Sequence, residues 1–383
     1  MKYRVIGLMS GTSLDGLDIA ICKFEKKDLK KIDQEKYKTY AVTKCYPISY
    51  SNKNKNNEWT FEIEKVTTIE YPKEWQKKLK NAPQLNAYQL VKIDLEYGKF
   101  IGEEVKNFIK NENKIDFIAS HGHTIFHNPS ENLTLQIGNG NTIAATCGLS
   151  VISDFRTMDV ALGGQGAPLV PIGDKLLFSE YDYCLNLGGF ANISFEKKGK
   201  RVAFDISPAN FPANYFAQKL NLNFDDKGKI GEQGSINKKL LNSLNSISFY
   251  NQNAPKSLSR EWFFDIFLPV VENYNISTND KLRTIYEHIA YQIGKIAKGM
   301  NKKILITGGG AYNSFLIKLI KKHTNCKIII PDSQIIDYKE AMIFAFLGVL
   351  RFRNEINCLS SVTGAKHDNI GGIITSNNLQ KKN

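Results

Sequence analysis

The chain has 383 residues, 42% of them hydrophobic and 23% charged, which excludes wholesale disorder and leaves length for two or three domains at roughly 100–200 residues each. Lysine and arginine outnumber aspartate and glutamate by 51 to 38, a formal charge of +13. The basic residues are dispersed, and the densest patch, residues 51–57, alternates Lys with Asn as a solvated loop does, so no nucleic-acid partner is expected.

In chain order, residues 3–9 read as a strand, Gly11 to Gly16 as a turn, and residues 17–24 as a returning strand. From Asn86 to Ile109, Leu90, Ile93, Leu95, Phe100, Ile101, Val105, Phe108 and Ile109 recur near helical spacing. That helix feeds a buried-strand pattern over 115–119, which ends at Ser120-His-Gly-His123. The second half repeats the grammar. A strand at 183–187 is followed by Gly188-Gly189, a return at 191–195 and a third strand at 201–205. A helix over 282–300, with Ile285, Ile289, Ile293 and Ile296 on one face, runs into a strand at 303–307 that ends at Gly308-Gly309-Gly310. Two such copies imply duplication of one α/β lobe. Facing lobes would bring their glycine turns into a shared cleft suited to phosphates.

Six cysteines (Cys22, Cys45, Cys147, Cys184, Cys326, Cys358) form no C-x-x-C pair, and most sit in apolar runs as reduced core thiols do. Residues 1–20 lack a signal peptide's order of segments, and no run of about 18 apolar residues exists to span a bilayer. The expectation is a soluble cytoplasmic protein with no membrane partner.

The turn Gly11-Thr-Ser-Leu-Asp-Gly-Leu-Asp18 combines glycines that free backbone N–H groups, hydroxyls on Thr12 and Ser13, and carboxylates on Asp15 and Asp18 able to order a Mg²⁺-water shell. A plain polar hairpin turn is the competing reading, since Asp-Gly is a favoured turn pair. Gly188, Gly189, Gly308, Gly309 and Gly310 extend the phosphate reading at matching points of the second copy. Neither a P-loop nor a dinucleotide fingerprint is present. Asp205 ends an apolar strand, where a general base belongs, although a turn-former ahead of Pro208 explains it equally. His121, His123 and His127 invite a metal reading, but no Cys or nearby Asp completes a ligand set. Arg156 is suited to clamping a carboxylate or phosphate, or to a local ion pair with Asp159. Gly163 to Gly166 reads as a mobile loop.

These segments together resemble the anhydro-N-acetylmuramic acid kinases, a branch of the sugar kinase, heat-shock ATPase and actin superfamily. The likeness is carried by residues 11–18, Ser120-His-Gly-His-Thr124, Asp154-Phe-Arg156 with Asp159-Val-Ala161, and 163–171. Asn186-Leu-Gly-Gly189, Ala191-Asn-Ile193, Thr307 to Gly310, Lys339-Glu-Ala341 and Ser361-Val-Thr-Gly-Ala365 continue it. The resemblance implies two ribonuclease H-like lobes around an ATP cleft, with an N-terminal lobe over 1–178 joined by 340–383 and a C-terminal lobe over 179–339. It implies a homodimer that uses ATP and Mg²⁺ to open the 1,6-anhydro bridge of anhydro-N-acetylmuramic acid with water and to phosphorylate O6. Asp205 would be the base. Gly11, Thr12, Ser13, Asp15, Gly16, Asp18 and the later glycines would bind ATP, while His121, Arg156, Gln165, Pro168, Asn210 and Glu340 would bind the sugar. The apolar helix 340–350 is expected near the lobe junction.

One departure stands out. The family's F-D-T-G-P-G-N reads Phe204-Asp-Ile-Ser-Pro-Ala-Asn210 here. Either Ser207 and Ala209 strain a loop built for positive φ, by roughly 1–2 kcal/mol each, or they narrow a pocket. The altered loop leaves open a catalytically altered ATP-binding sensor of the same fold, and the histidines leave open a histidine-ligated metallohydrolase.

Overall fold

The computed structural model describes residues 1–11, 14–27 and 58–376. Thr12, Ser13, Cys45 and the Lys/Asn patch at 51–57 lie outside the described residues. The chain divides into two units, Met1–Ser179 with Tyr338–Asn383, and Glu180–Asp337.

In the first unit, β1 (Lys2–Ser10) and β2 (Gly16–Lys26) form the expected hairpin, and β3 (Trp59–Glu70) adds an antiparallel neighbour to β2. Two parallel strands continue from the other edge of β1: β4 (Phe117–Ser120), then β7 (Val151–Ser153). Between them in sequence, β5 (His123–Asn128) and β6 (Leu133–Ile137) pair as a separate hairpin. The helix Ala87–Phe108 carries a capping box, in which Asn86 accepts from Gln89 N–H and Gln89 reaches back to Asn86 N–H. Its buried face is Ile93, Tyr97, Gly98, Ile101, Gly102 and Val105. Leu95, expected on that face, is 45% exposed, because it stands two positions from both Ile93 and Tyr97 and so falls on the opposite side of the helix.

The second unit lays β8 (Tyr183–Leu187), β9 (Phe190–Lys197) and β10 (Lys200–Pro208) antiparallel, then β11 (Lys303–Thr307) and β12 (Lys327–Ile329) parallel beyond β8. The order β10-β9-β8-β11-β12 reproduces β3-β2-β1-β4-β7 strand for strand and sense for sense. The first unit adds β13 (Ile373–Thr375), antiparallel to β7. Two sheets sharing this ribonuclease H-like pattern bear out the duplicated α/β fold. The second unit's helix runs Thr278–Ile296, starting one turn before the expected position and stopping at Ala297, whose backbone is extended; Ile285, Ile289 and Ile293 are fully buried along it.

The helix Ser333–Phe352 begins before the expected 340 and passes from the second unit into the first. Within the first unit, Lys339 Nζ of this helix forms a buried ion pair with Asp174 Oδ1 of the helix Val170–Leu177, 2.7 Å apart. It then crosses β1 at Gly7, where any Cβ would collide with the Ala341 carbonyl.

Candidate functional site

On the first unit, the end of β1 is tied down by a buried polar network. Ser10 Oγ accepts from the Tyr71 hydroxyl at 2.8 Å and lies 2.9 Å from His123 Nδ1, while Tyr71 also bonds Tyr97. Burial lowers the His123 pKa to about 4, so its imidazole is neutral at pH 7. Of the turn that follows Ser10, Gly11 and Asp15 are at least partly open to solvent, Gly16 begins β2, and Asp18 Oδ1 accepts from Thr68 Oγ1 at 2.6 Å. The Thr68 hydroxyl also lies 3.1 Å from Tyr338 Oη.

Beside this turn, Arg156 is built into place. Its Nε and Nη2 lie 3.1 and 2.8 Å from His121 Nε2, and Nη1 donates to the Gly166 carbonyl at 2.6 Å. His121 Nδ1 lies 2.8 Å from the Gly122 carbonyl, which can only accept, so that nitrogen holds the ring proton and Nε2 accepts from Arg156. Burial, reinforced by the Arg156 charge, drives the His121 pKa well below its usual value and keeps this tautomer neutral. Both ring nitrogens are spent. His121 therefore positions Arg156, where direct contact with a sugar had been expected. The Nε–Nη2 edge of Arg156 is likewise spent, which leaves the outer hydrogens of Nη1 and Nη2 for an end-on contact. Burial lowers the Arg156 pKa to about 10, against the attraction of Glu340, so it stays charged at pH 7. Glu340 also feels Asp18, which groups Asp18, Glu340 and Arg156 electrostatically.

The sequence offers Asp159 as a local ion-pair partner of Arg156. Instead it is fully buried, and its Oδ1 accepts from the Cys358 thiol, Thr363 Oγ1 and Asn369 Nδ2. Its Oδ2 accepts the Gly166 N–H at 2.8 Å. With Gln165 N–H donating to the Thr363 carbonyl, the loop at 163–166 is tethered at several points, contrary to the mobile loop expected from its glycines. Gln165 and Pro168 are exposed beside it. The ties to Cys358, Thr363 and Asn369 do not announce themselves in sequence spacing, since they join residues about two hundred positions apart.

On the second unit, Asp205 lies near the end of β10, at a bulge between Asp205 and Ser207. Its N–H donates to the Lys256 carbonyl at 3.0 Å, and its Oδ2 accepts the Leu258 N–H at 2.8 Å. Among the described residues, Oδ1 has no hydrogen-bond partner. Burial raises the carboxyl pKa to about 6, against the Leu258 hydrogen bond that lowers it.

The glycine turns gather nearby. The Gly188 and Gly189 carbonyls accept the Asn210 and Ala209 N–H groups, and Asn210 Nδ2 donates to the Leu187 carbonyl at 3.0 Å. Asn210, expected at the sugar, thus braces the turn. Gly308 has φ +79° and no room for a Cβ, which would sit 2.4 Å from Asn186 Oδ1; Gly310 packs against Leu187. Gly188 and Gly309 are different. Neither has positive φ, and a Cβ at either meets nothing closer than 3.5 Å, so no contact within the chain demands glycine there.

The departing segment is unstrained. Ser207 is not among the positive-φ residues and Ala209 has φ −128°. Ile206, Ser207 and Ala209 are all at most 1% exposed, and Ile206 and Ala209 belong to the hydrophobic core of this unit. The added side chains turn inward, which removes both consequences expected of them. The histidines do not assemble as ligands either: His121 and His123 are held as above, His127 Nδ1 lies 3.1 Å from Thr134 Oγ1, and no metal-binding cluster occurs among the described residues.

A family model described as anhydro-N-acetylmuramic acid kinase matches residues 53–377. Among similar proteins, the anhydro-N-acetylmuramic acid kinase of Bacillus thuringiensis subsp. konkukian is 30% identical over 405 residues, covering 97% of this chain and 98% of its own. That of Vibrio vulnificus is 30% identical over 383 residues, covering 95% and 96%. That of Vibrio parahaemolyticus is 30% identical over 405 residues, covering 99% and 100%. A match across nearly the full length, on a duplicated fold that carries the expected carboxylate and glycine turns, leads to one conclusion: the chain belongs to the anhydro-N-acetylmuramic acid kinase family.

Proposed function

We propose that this chain is a kinase that opens 1,6-anhydro-N-acetylmuramic acid with water and transfers the γ-phosphoryl group of ATP to O6, giving N-acetylmuramic acid 6-phosphate for reuse of cell-wall sugar. The observation that carries the reading is Asp205, a partly buried carboxylate with one oxygen restrained, the other unpartnered, and a pKa raised to about 6. At pH 7 such a group is roughly nine-tenths ionised, yet it is a stronger base than an ordinary aspartate. It takes a proton from water as the water oxygen bonds to C1. The C1–O6 bond breaks, and O6 leaves with the electron pair that makes it a nucleophile. One carboxylate suffices, because bridge cleavage itself generates the acceptor oxygen.

The residues present fit the nucleotide. Gly188 and Gly309 leave open the space that a Cβ would fill, although the chain's own packing does not require it. That favours close approach of the main chain to phosphate oxygens. Gly189, Gly308 and Gly310 shape the same turns, and Gly11 with Gly16 frames the matching turn of the first unit. Asp15, exposed, and Asp18, oriented by Thr68, are the carboxylates placed to order a Mg²⁺-water shell. ATP with Mg²⁺ supplies the phosphoryl group and neutralises its charge. Arg156, held by His121 and the Gly166 carbonyl, offers its outer N–H groups to the carboxylate of the muramic lactyl group. Glu340, Gln165 and Pro168 complete the sugar contacts. The reading places the enzyme in the cytoplasm as a homodimer, on the family resemblance; no helix among the described residues is long and apolar enough to cross a membrane.

The test is mass spectrometry of the product formed from the anhydro-sugar and ATP in ¹⁸O-water, quenched before anomeric exchange. Phosphorylated sugar carrying one ¹⁸O at C1 is expected. An unlabelled phosphosugar would show an ordinary hydroxyl kinase, and ATP binding with no product would show a sensor.

A further inference from the structure

The second unit also holds a cavity of about 410 Å³ that neither Asp205 nor any glycine turn lines. It lies between the outer strands β9 and β10, which contribute Phe195, Phe204 and Ile206, and the last turns of the helix Thr278–Ile296, which contribute Gln292 and Lys295. The segment 250–256 forms the remaining wall. Its size falls within the range of small-molecule pockets.

The lining has a definite chemistry. Lys197, Lys256 and Lys295 border it, no carboxylate does, and among the described residues none of these lysines forms an ion pair. Lys256 Nζ donates to the Phe249 carbonyl at 3.0 Å and retains two N–H groups. Burial lowers the Lys256 pKa, and repulsion from Lys295 lowers it further, so an anion between the two would relieve both. Phe195, Phe204 and Tyr250 supply apolar faces. Tyr250 is only 7% exposed, and its hydroxyl has no hydrogen-bond partner. That hydroxyl is sealed from solvent, so Tyr250 meets the cavity through its ring.

We propose that this cavity is a second ligand site, for a small anion with a planar apolar body, its acidic group held by Lys256 and Lys295 and its ring against Phe204 and Tyr250. The cationic pair selects for charge and the rings for an aromatic or similarly flat scaffold. The site stands apart from the proposed chemistry and does not depend on the kinase reading.

Lys256 is a poor place to test it, because its carbonyl holds the Asp205 N–H. Lys295 is exposed and free of such ties, which makes Lys295→Gln the informative variant. The probe is naphthalene-2-carboxylate, titrated calorimetrically into the full chain at pH 7, with the uncharged naphthalene-2-carboxamide as its control. One saturable site is expected, unaffected by saturating ATP, with the amide about tenfold weaker. Lys295→Gln should weaken the carboxylate about fivefold, with thermal unfolding and sugar-phosphate formation unchanged in the absence of probe. Absence of saturable binding up to about 10 mM, equal affinity for acid and amide, indifference to Lys295→Gln, or displacement by ATP would each overturn the proposal.

Discussion

The two units share one strand order and one pattern of strand sense, yet they build their functional ends from different materials. The first unit uses side chains: Arg156 braced by His121, and Asp159 drawing Gly166, Cys358, Thr363 and Asn369 around one buried carboxylate. The second uses main chain, with glycine turns braced by Asn210 and with Asp205, whose carboxylate accepts the Leu258 N–H and whose own N–H donates to the Lys256 carbonyl. A duplicated scaffold can therefore diverge in chemistry while its topology stays fixed. On the proposed reading, one copy orients a shaped organic substrate and the other supplies close backbone approach and proton removal.

That contrast can be broken most severely at Asp205. Asp205→Asn should reduce sugar-phosphate formation by about 10²–10⁴-fold while ATP affinity, measured calorimetrically, holds, because only the base is lost. Next comes Asp159→Ala, which strands several buried donors at once. A loss of about 3–5 kcal/mol in chemical denaturation is expected, with the defect confined to folding and loop order. Arg156→Met should lower kcat/KM for the anhydro-sugar by about 10²-fold and leave ATP affinity unchanged; a defect seen only in ATP binding would reverse the division of labour between the units. The glycines give the smallest and sharpest comparison. Gly308→Ala should cost about 1–3 kcal/mol of stability, since φ is +79° and its Cβ would strike Asn186. Gly309→Ala should leave Tm unchanged yet weaken ATP by about tenfold, because only a ligand needs that space.

How much of this was legible beforehand follows from the range of the interactions. Strands that alternate or run apolar into glycine, and a helix capped by Asn86 and Gln89, are local patterns, and the duplication emerged from them. The strand β13 and the hairpin β5–β6 carry weak local signals, whereas β3 is legible in the alternation of Trp59, Phe61 and Ile63 with polar residues. Asp205 was identified as a candidate because a carboxylate ending an apolar strand is unusual. The roles of His121 and Asp159 were not legible. Arg156 occupies the His121 nitrogen across 35 positions, and Thr363 and Asn369 reach Asp159 across 204 and 210. Glycine content suggests mobility at 163–166, whereas Asp159, itself fixed by residues about two hundred positions away, and Thr363 tether the loop. At 206–209 the family pattern pointed to strain, but side-chain direction decided otherwise, with Ile206 and Ala209 absorbed into the core.

The central claim is that Asp205 removes the proton from water, and the pH dependence of kcat/KM for the anhydro-sugar tests it most directly. Folding raises this carboxyl to about 6, and only its ionised form is a base. The rate should be level above pH 7, reach half its maximum near pH 6, and fall about tenfold per unit below that. A rate that stays level down to pH 5 in protein shown to remain folded would contradict the assignment.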